Sequence, residues 1–225
     1  VPKVRGRERS IPSNEIIISN IKNLEGIGYK EIILTGTQLG TYGFDLTDTV
    51  NTLHSLVDNI LDKTSVQRIR ISSIQPQEIT PELLTTWEDP RICSHMHIPL
   101  QSGSDPILKA MRRTYSRDQY LNSVDRVLSK FSDFSITSDI IVGFPGETDL
   151  DYKNTLDIVN RVKFSNLHVF PYSIRPGTSA AYLEQTVSPE IKASRVDSLL
   201  ELADRKSKLY RQNMIGTIRP VLWED

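Results

Sequence analysis

Helical and strand-like periods alternate along this chain. Over residues 13–28 apolar positions recur at helical spacing (Ile16, Ile17, Ile21, Leu24), with Ser13 as the expected N-cap and Gly26 and Gly28 as the stop. A short Ile- and Leu-rich run at 31–35 follows and breaks into the glycine-bracketed polar loop Gly36-Thr37-Gln38-Leu39-Gly40. The unit then recurs: a helix over about 49–61, a strand over 66–73, and the polar turn Ser72-Ser73-Ile74-Gln75-Pro76. Thr80-Pro81-Glu82 opens another helix, with proline at its first position. A strand at 95–100 runs into Gln101-Ser102-Gly103-Ser104, and helices are expected at 107–111 and 117–130.

The stretch ITSDIIVGFPGE at 136–147 compresses a strand, a turn and a helix start. Ile136, Ile140, Ile141 and Val142 suit a strand covered by helices on both faces, and Gly143-Phe144-Pro145-Gly146 stops it. Thr148 and Asp151 read as an N-cap and a partial capping box for a helix over 150–162. A strand at 166–172, the loop Ser173-Ile174-Arg175-Pro176-Gly177-Thr178 and a long helix from Ser188-Pro189-Glu190 to about 214 complete the series. Val221, Leu222 and Trp223 look like the first half of one more strand.

Five strands separated by helices imply an α/β fold with parallel strands and right-handed crossovers. Five are too few for an eight-stranded barrel, so the expected architecture is a partial, open TIM-like βα barrel lacking its first strand; a doubly wound sheet ranks second. Each polar glycine or serine loop follows a strand, which would gather the loops on one face, around one pocket.

Composition narrows the chemistry. With 27 Lys and Arg against 28 Asp and Glu, the chain has no global field for nucleic acid or membrane, so basic contacts must be local. Three clusters qualify: Arg5/Arg7/Arg9, Arg112/Arg113/Arg117 and Arg205/Lys206/Lys208/Arg211, with Tyr115, Tyr120 and Tyr210 nearby for stacking on bases. The third alternates with Glu201 and Asp204 and reads better as a solvated helix face. Cys93 is the only cysteine, excluding an internal disulfide and, on its own, a cysteine-held cluster; it reads as a small buried residue rather than a nucleophile. His95 and His97 would share one strand face and could bind a metal with Asp139 and His168 on later strands. Hydrogen-bonded core histidines are the commoner arrangement. No apolar run approaches a membrane span and no signal-peptide pattern is present, so the expected location is cytoplasmic, away from the membrane.

Six ordered motifs carry a resemblance: RGRERS at 5–10, LTGTQLGTYG at 34–43, RIRISSIQP at 68–76, HIPLQSGSDPILKAMRRTYS at 97–116, DIIVGFPGET at 139–148 and HVFPYSIRPGT at 168–178. Together they resemble the radical S-adenosylmethionine methylthiotransferases over nearly the whole chain. Thr37-Gln38-Leu39, where the isopentenyladenosine branch usually has Gln-Asn-Val, is most similar to the branch acting on threonylcarbamoyladenosine; a third branch modifies a ribosomal-protein aspartate. The resemblance implies a radical-SAM barrel and a tRNA-modifying enzyme that adds a methylthio group to the adenine ring at position 37. It further implies S-adenosylmethionine and two [4Fe-4S] clusters as cofactors, with the tRNA anticodon stem-loop and an electron donor as partners. In such enzymes one cluster reduces S-adenosylmethionine to a 5′-deoxyadenosyl radical that abstracts hydrogen from the ring, and the second cluster supplies the methylated sulfur.

By motif position, Thr35, Gly36, Thr37 and Gln38 would meet the methionine end of the cofactor, and Ser72, Ser73, Gln101, Ser102 and Asp139 its polar groups. Ile141, Gly143, Phe144, Pro145, Gly146, Glu147, Phe170 and Tyr172 would line the adenine, while Arg5, Arg7, Arg113 and Arg175 would meet carboxylate or tRNA phosphate. The chain departs from the family in lacking the CxxxCxxC motif, which ends just before the residues matching Val1-Pro2, and one cysteine cannot supply three thiolates. The resemblance therefore implies the barrel core (1–215) of a larger enzyme, inactive alone, with 216–225 entering a C-terminal RNA-binding β-domain. A metal-dependent hydrolase barrel using His95, His97 and Asp139, and a non-catalytic RNA-binding barrel, are the rival expectations.

Overall fold

The computed structural model describes residues 9–11, 14–46, 52–184 and 186–223. Helices and strands follow in the predicted alternation: α1 (Asn14–Gly26), β1 (Glu31–Leu34), α2 (Leu53–Lys63), β2 (Arg68–Ile71), α3 (Pro81–Thr85), β3 (His95–His97), α4 (Asp105–Ala110), α5 (Arg117–Lys130), β4 (Ser135–Val142), α6 (Asp149–Arg161), β5 (Asn166–Pro171) and α7 (Pro189–Gln212). Two parallel sheets form, of two and three strands, and neither closes into a barrel among the described residues. The residues group into two compact units, one up to Met96 together with those from Arg219, the other His97–Ile218.

In the first unit β1 and β2 pair in parallel, with Ile32 opposite Ile69 and Leu34 opposite Ile71. Leu53, Leu56, Val57 and Ile60 of the amphipathic α2 are buried with Ile69 and Ile71 of β2. Thr52 starts α2 with a capping box. Its last carbonyls are satisfied from outside the helix: the Arg91 guanidinium donates to Leu61 O at 2.8 Å and Thr64 O at 3.1 Å. Ser13 and residues 49–51 of the expected elements lie outside the described residues.

The three-stranded sheet has the order β3–β4–β5, with β4 and β5 parallel and Asp139 opposite His168. Strand β4 corrects one expectation, because it is not covered on both faces. Ile136, Ser138, Ile140 and Val142 are buried, whereas Ser135, Thr137, Asp139 and Ile141 are only half-buried. The polar residues Thr137 and Asp139 fall in one phase of the two-residue period, so that phase forms a half-open polar face. Regular β3 is also shorter than expected. Its pairing continues intermittently, through Ile98 N to Thr137 O and Gln101 N to Asp139 O. Val221, Leu222 and Trp223 form no strand.

Tyr115 and Tyr120 are core residues, not exposed stacking surfaces. The Tyr115 hydroxyl donates to Pro99 O (2.9 Å) and Leu100 O, and that of Tyr120 to Ile98 O (3.1 Å). Both tyrosines thus tie α5 and its lead-in to the segment after β3, and burial pushes the Tyr115 phenol up to about 12. Lys206 likewise serves the fold, donating to Asn160 O and Val162 O at the end of α6.

Candidate functional site

In the first unit, the chain leaving β1 at Leu34 turns through Thr35-Gly36-Thr37-Gln38 into a short helical turn, Leu39–Thr41. A cavity of about 400 Å³ opens there, and Thr35, Gly36, Thr37 and Gln38 all line it, together with Arg9 and Tyr42. Its wall is held by local bonds: the Tyr42 hydroxyl reaches Ile11 O at 3.1 Å and Asn14 Oδ1 at 3.0 Å, and Ser10 Oγ accepts from Gly43 N at 2.9 Å. Gly40 is required by close approach, since a Cβ there would lie 2.6 Å from Glu78 Cβ. Arg5 and Arg7 fall outside the described residues. Just past β2, Ser72 donates its N–H to Leu34 O at 3.0 Å, while its hydroxyl oxygen is buried without a hydrogen-bond partner among the described residues. Ser73 beside it is half-buried.

The second unit collects its residues at the C-terminal ends of β3, β4 and β5. Gln101 adopts φ +65°, a left-handed conformation that costs a non-glycine residue about 1–2 kcal/mol. It is held there because its N–H donates to Asp139 O (2.8 Å) and its carbonyl accepts from Ile141 N (2.9 Å). Such strain persists only where surrounding structure over-determines it. Ser102 is fully buried and accepts from Ser104 N. Gly103 lies against the backbone of α6, where a Cβ would come within 2.5 Å of Thr155 Cα.

The turn after β4 is closed by its own glutamate. Gly143 has φ +72° and Gly146 φ +86°. Glu147 Oε2 accepts from Gly143 N at 2.8 Å and from Arg195 Nη1 at 2.7 Å. Arg195 Nη2 also meets Asp149 Oδ1 at 2.6 Å. Burial pushes the Glu147 carboxyl above its ordinary range despite the Gly143 N–H and Arg195, which favour its ionised form. Burial would lower Arg195, but its bonds to Asp149 and Glu147 win and raise it. Glu147 therefore shapes the turn, with Oε2 held by Gly143 N and Arg195 Nη1.

Phe144 is buried, as is Pro145, and the Phe144 ring packs edge-on to Tyr172 at 5.2 Å. Lys192 Nζ sits 5.8 Å over the Tyr172 ring and donates to Tyr172 O at 3.1 Å. The Tyr172 hydroxyl is the second buried polar atom left without a partner among the described residues. On the half-open face Ile141 is opposite Phe170, which is 50% exposed. Arg175 is exposed on the loop after β5, and Arg113 is half-buried at the link between α4 and α5. Sequence reasoning missed Lys192 and Arg195, which lie far along the chain on α7 and carry no local signal.

The cysteine does not fit a cluster ligand. Cys93 is half-buried beside the Glu31 carboxylate, which holds Arg68 Nε at 2.8 Å and Arg70 Nε at 2.7 Å. Arg68 Nη2 lies 3.5 Å from its sulfur. Burial raises the thiol more than the two arginines lower it, and the protonated form is favoured.

The family model described as the Radical SAM superfamily matches residues 2–159. The chain is 39% identical over 225 residues to a tRNA-2-methylthio-N(6)-dimethylallyladenosine synthase of Syntrophotalea carbinolica, covering 100% of this chain and 51% of that protein. It is 43% identical over 198 residues to the threonylcarbamoyladenosine tRNA methylthiotransferase MtaB of Thermotoga maritima, covering 88% of this chain and 45% of that one. The chain thus spans about half the length of these relatives. Among solved structures it resembles coproporphyrinogen III oxidase (HemN) from Escherichia coli with a TM-score of 0.60 at 15% identity, over 79% of this chain and 40% of that one. That likeness concerns the fold alone.

Proposed function

The chain belongs to the radical SAM superfamily, and on that premise we propose that it is the S-adenosylmethionine-binding core of a tRNA methylthiotransferase. The observation that carries the reading is the pair of buried, unpartnered hydroxyls, Ser72 Oγ and Tyr172 OH, both at positions the motifs assign to the cofactor. A buried polar atom without a partner costs about 1–3 kcal/mol, a cost removed when a ligand supplies the missing bond. The cavity at Thr35, Gly36, Thr37 and Gln38 offers hydroxyl, amide and backbone groups suited to the zwitterionic methionine end. Phe144 and Tyr172 are the adenine residues by motif position alone, and within the second unit Lys192 and Phe144 fix the Tyr172 ring.

S-adenosylmethionine, when bound, supplies the adenosyl and methyl groups of the chemistry. The thiolates for any iron–sulfur cluster would have to come from outside these 225 residues, whose only cysteine is Cys93. We assign the tRNA substrate from the names of the relatives, with Arg113 and Arg175 as phosphate or carboxylate contacts and the anticodon stem-loop as the docking element. The target we favour is threonylcarbamoyladenosine, on the strength of the Thr37-Gln38-Leu39 loop and of the Thermotoga maritima relative. Dimethylallyladenosine is the second reading, favoured by the name of the Syntrophotalea carbinolica relative.

Equilibrium dialysis with labelled S-adenosylmethionine tests the cofactor assignment. Neither hydroxyl has a hydrogen bond to lose, so Ser72→Ala and Tyr172→Phe should raise the stability of the ligand-free chain, by up to about 1–3 kcal/mol, while weakening binding about 2- to 10-fold. Absent binding, or binding indifferent to both changes, refutes it. For the target, a strain lacking its own methylthiotransferases is complemented with the whole gene and its tRNA nucleosides are analysed by mass spectrometry. A methylthio mark on threonylcarbamoyladenosine supports the first reading, a mark on dimethylallyladenosine the second, and no mark on either overturns both.

A further inference from the structure

The polar face of the second unit's sheet carries a cluster in which Asp139 alone is among the residues the motifs assign to the cofactor. His97 on β3, Asp139 on β4 and His168 on β5 each present one ligand atom, and these atoms lie within 4.8 Å of one another. Adjacent parallel strands bring them together: Asp139 is directly opposite His168, and His97 Nε2 is 3.2 Å from Asp139 Oδ2. We propose that His97, Asp139 and His168 form a site for a first-row divalent cation, with zinc the best-fitting ion.

Two imidazoles and one carboxylate are a donor set for zinc and its neighbours. At zinc bond lengths near 2.1 Å, tetrahedral ligands stand about 3.4 Å apart. The His97–Asp139 separation already meets that spacing, and the wider gap closes by rotation of His168, whose residue is exposed. The imidazole of His97 is also oriented as a ligand. Its Nδ1 is 2.9 Å from Thr137 Oγ1, and in the tautomer with the proton on Nδ1 the Nε2 lone pair would be available to a cation placed between it and Asp139 Oδ2. Three protein ligands leave at least one position open to water or to an oxygen or nitrogen donor, as in catalytic rather than structural sites. Two residues further along the same face is the Ile141 and Phe170 pair, about 7 Å away at the strand rise. A small molecule bound at the open position would thus have an apolar shelf beside it. The proposal does not depend on the S-adenosylmethionine assignment.

The test uses the 225-residue chain stripped with chelator, titrated with Co²⁺ and then displaced with Zn²⁺. One equivalent of Co²⁺ should bind, with a visible d–d band, no sulfur charge-transfer band, and displacement by zinc. His168→Ala, which removes an exposed ring and leaves circular dichroism unchanged, should weaken binding more than ~100-fold, beyond what loss of an outer-shell partner costs. Thr137→Val should weaken it about 10- to 100-fold by releasing the His97 ring. His54→Ala, whose ring bonds Thr86 Oγ1 at 3.0 Å in the other unit, should change nothing. No stoichiometric binding, binding that survives both His168→Ala and Asp139→Asn, or a sulfur charge-transfer band lost in Cys93→Ser would each overturn the site. Because S-adenosylmethionine is absent from the titration, its outcome is separate from that of the cofactor test.

Discussion

Replacing Arg195 by methionine should be among the most damaging single changes to the second unit. The side chains of Arg195 and Glu147 are only 8% and 2% exposed, and they meet at 2.7 Å. The second guanidinium bond, to Asp149, contributes little, because that carboxylate is 86% exposed and its interactions are screened. Methionine preserves most of the aliphatic volume but leaves Glu147 with the Gly143 N–H as its one remaining stabilising partner among the described residues. Breaking a buried pair from one side costs about 3–5 kcal/mol. Loss of the guanidinium stacked 5.2 Å from the Tyr152 ring adds about 0.5–2 kcal/mol.

The loss should also depend on pH in a definite direction. The folded pKa of Glu147 is raised by burial. A raised pKa means that the stability contributed by the neutral acid is present below the unfolded pKa and is lost as pH rises through the folded one. Without Arg195 that folded pKa rises further, so the variant's deficit should be largest at pH 8 and shrink toward pH 5. Urea denaturation followed by circular dichroism at the two pH values measures it. The double variant Glu147→Gln/Arg195→Met, in which no charge is stranded, should be more stable at pH 8 than Arg195→Met alone. A loss below about 1 kcal/mol at pH 8, or an equal loss at both pH values, would refute the reasoning.

Three further outcomes can be checked on the same chain. Gly103→Ala forces a methyl to within 2.6 Å of Asn154 O and against the α6 backbone, so it should cost at least about 1–3 kcal/mol in urea denaturation. Arg112→Gly should instead stabilise by about 1 kcal/mol: Arg112 has φ +59° at the end of α4, where Arg112 N donates to Lys109 O and Arg113 N to Leu108 O. A fall in its melting temperature would contradict that account. Cys93 should be alkylated by iodoacetamide more slowly at pH 8 in the native chain than in urea, because burial raises its thiol. The same shift predicts stability that is intact below the ordinary thiol range and declines as pH rises through the folded pKa.

Helix starts were legible because their chemistry is local. Thr148 and Asp151 form the capping box their spacing announces, and Pro189 begins α7 behind its N-cap Ser188. The order of strands and helices was legible for the same reason, as was the parallel pairing, which follows from the helix between β4 and β5. The motifs located the loop at Thr35, Gly36, Thr37 and Gln38, and a cavity stands beside it.

Which side of a strand is covered depends on the packing partner. The apolar run Ile140-Ile141-Val142 gave no sign that Ile141 faces a half-open surface, since hydrophobicity alone does not reveal where the neighbouring helix lies. Tyrosines beside arginines resembled a nucleic-acid surface until Tyr115 and Tyr120 proved to bond buried carbonyls of the segment after β3. The partners of Glu147 and Tyr172 come from α7, roughly 20 to 50 residues away, at Arg195 and Lys192. The sequence by itself determined the elements, their order and the chemistry available in each loop, because capping, turn geometry and periodicity act over a few residues. Only the tertiary structure decided which face of β4 is open, that Arg195 reaches the Glu147 turn, and that of the two histidines on β3 it is His97 that joins Asp139 and His168. Those outcomes depend on strand register and on helix packing, which join residues that no local rule connects.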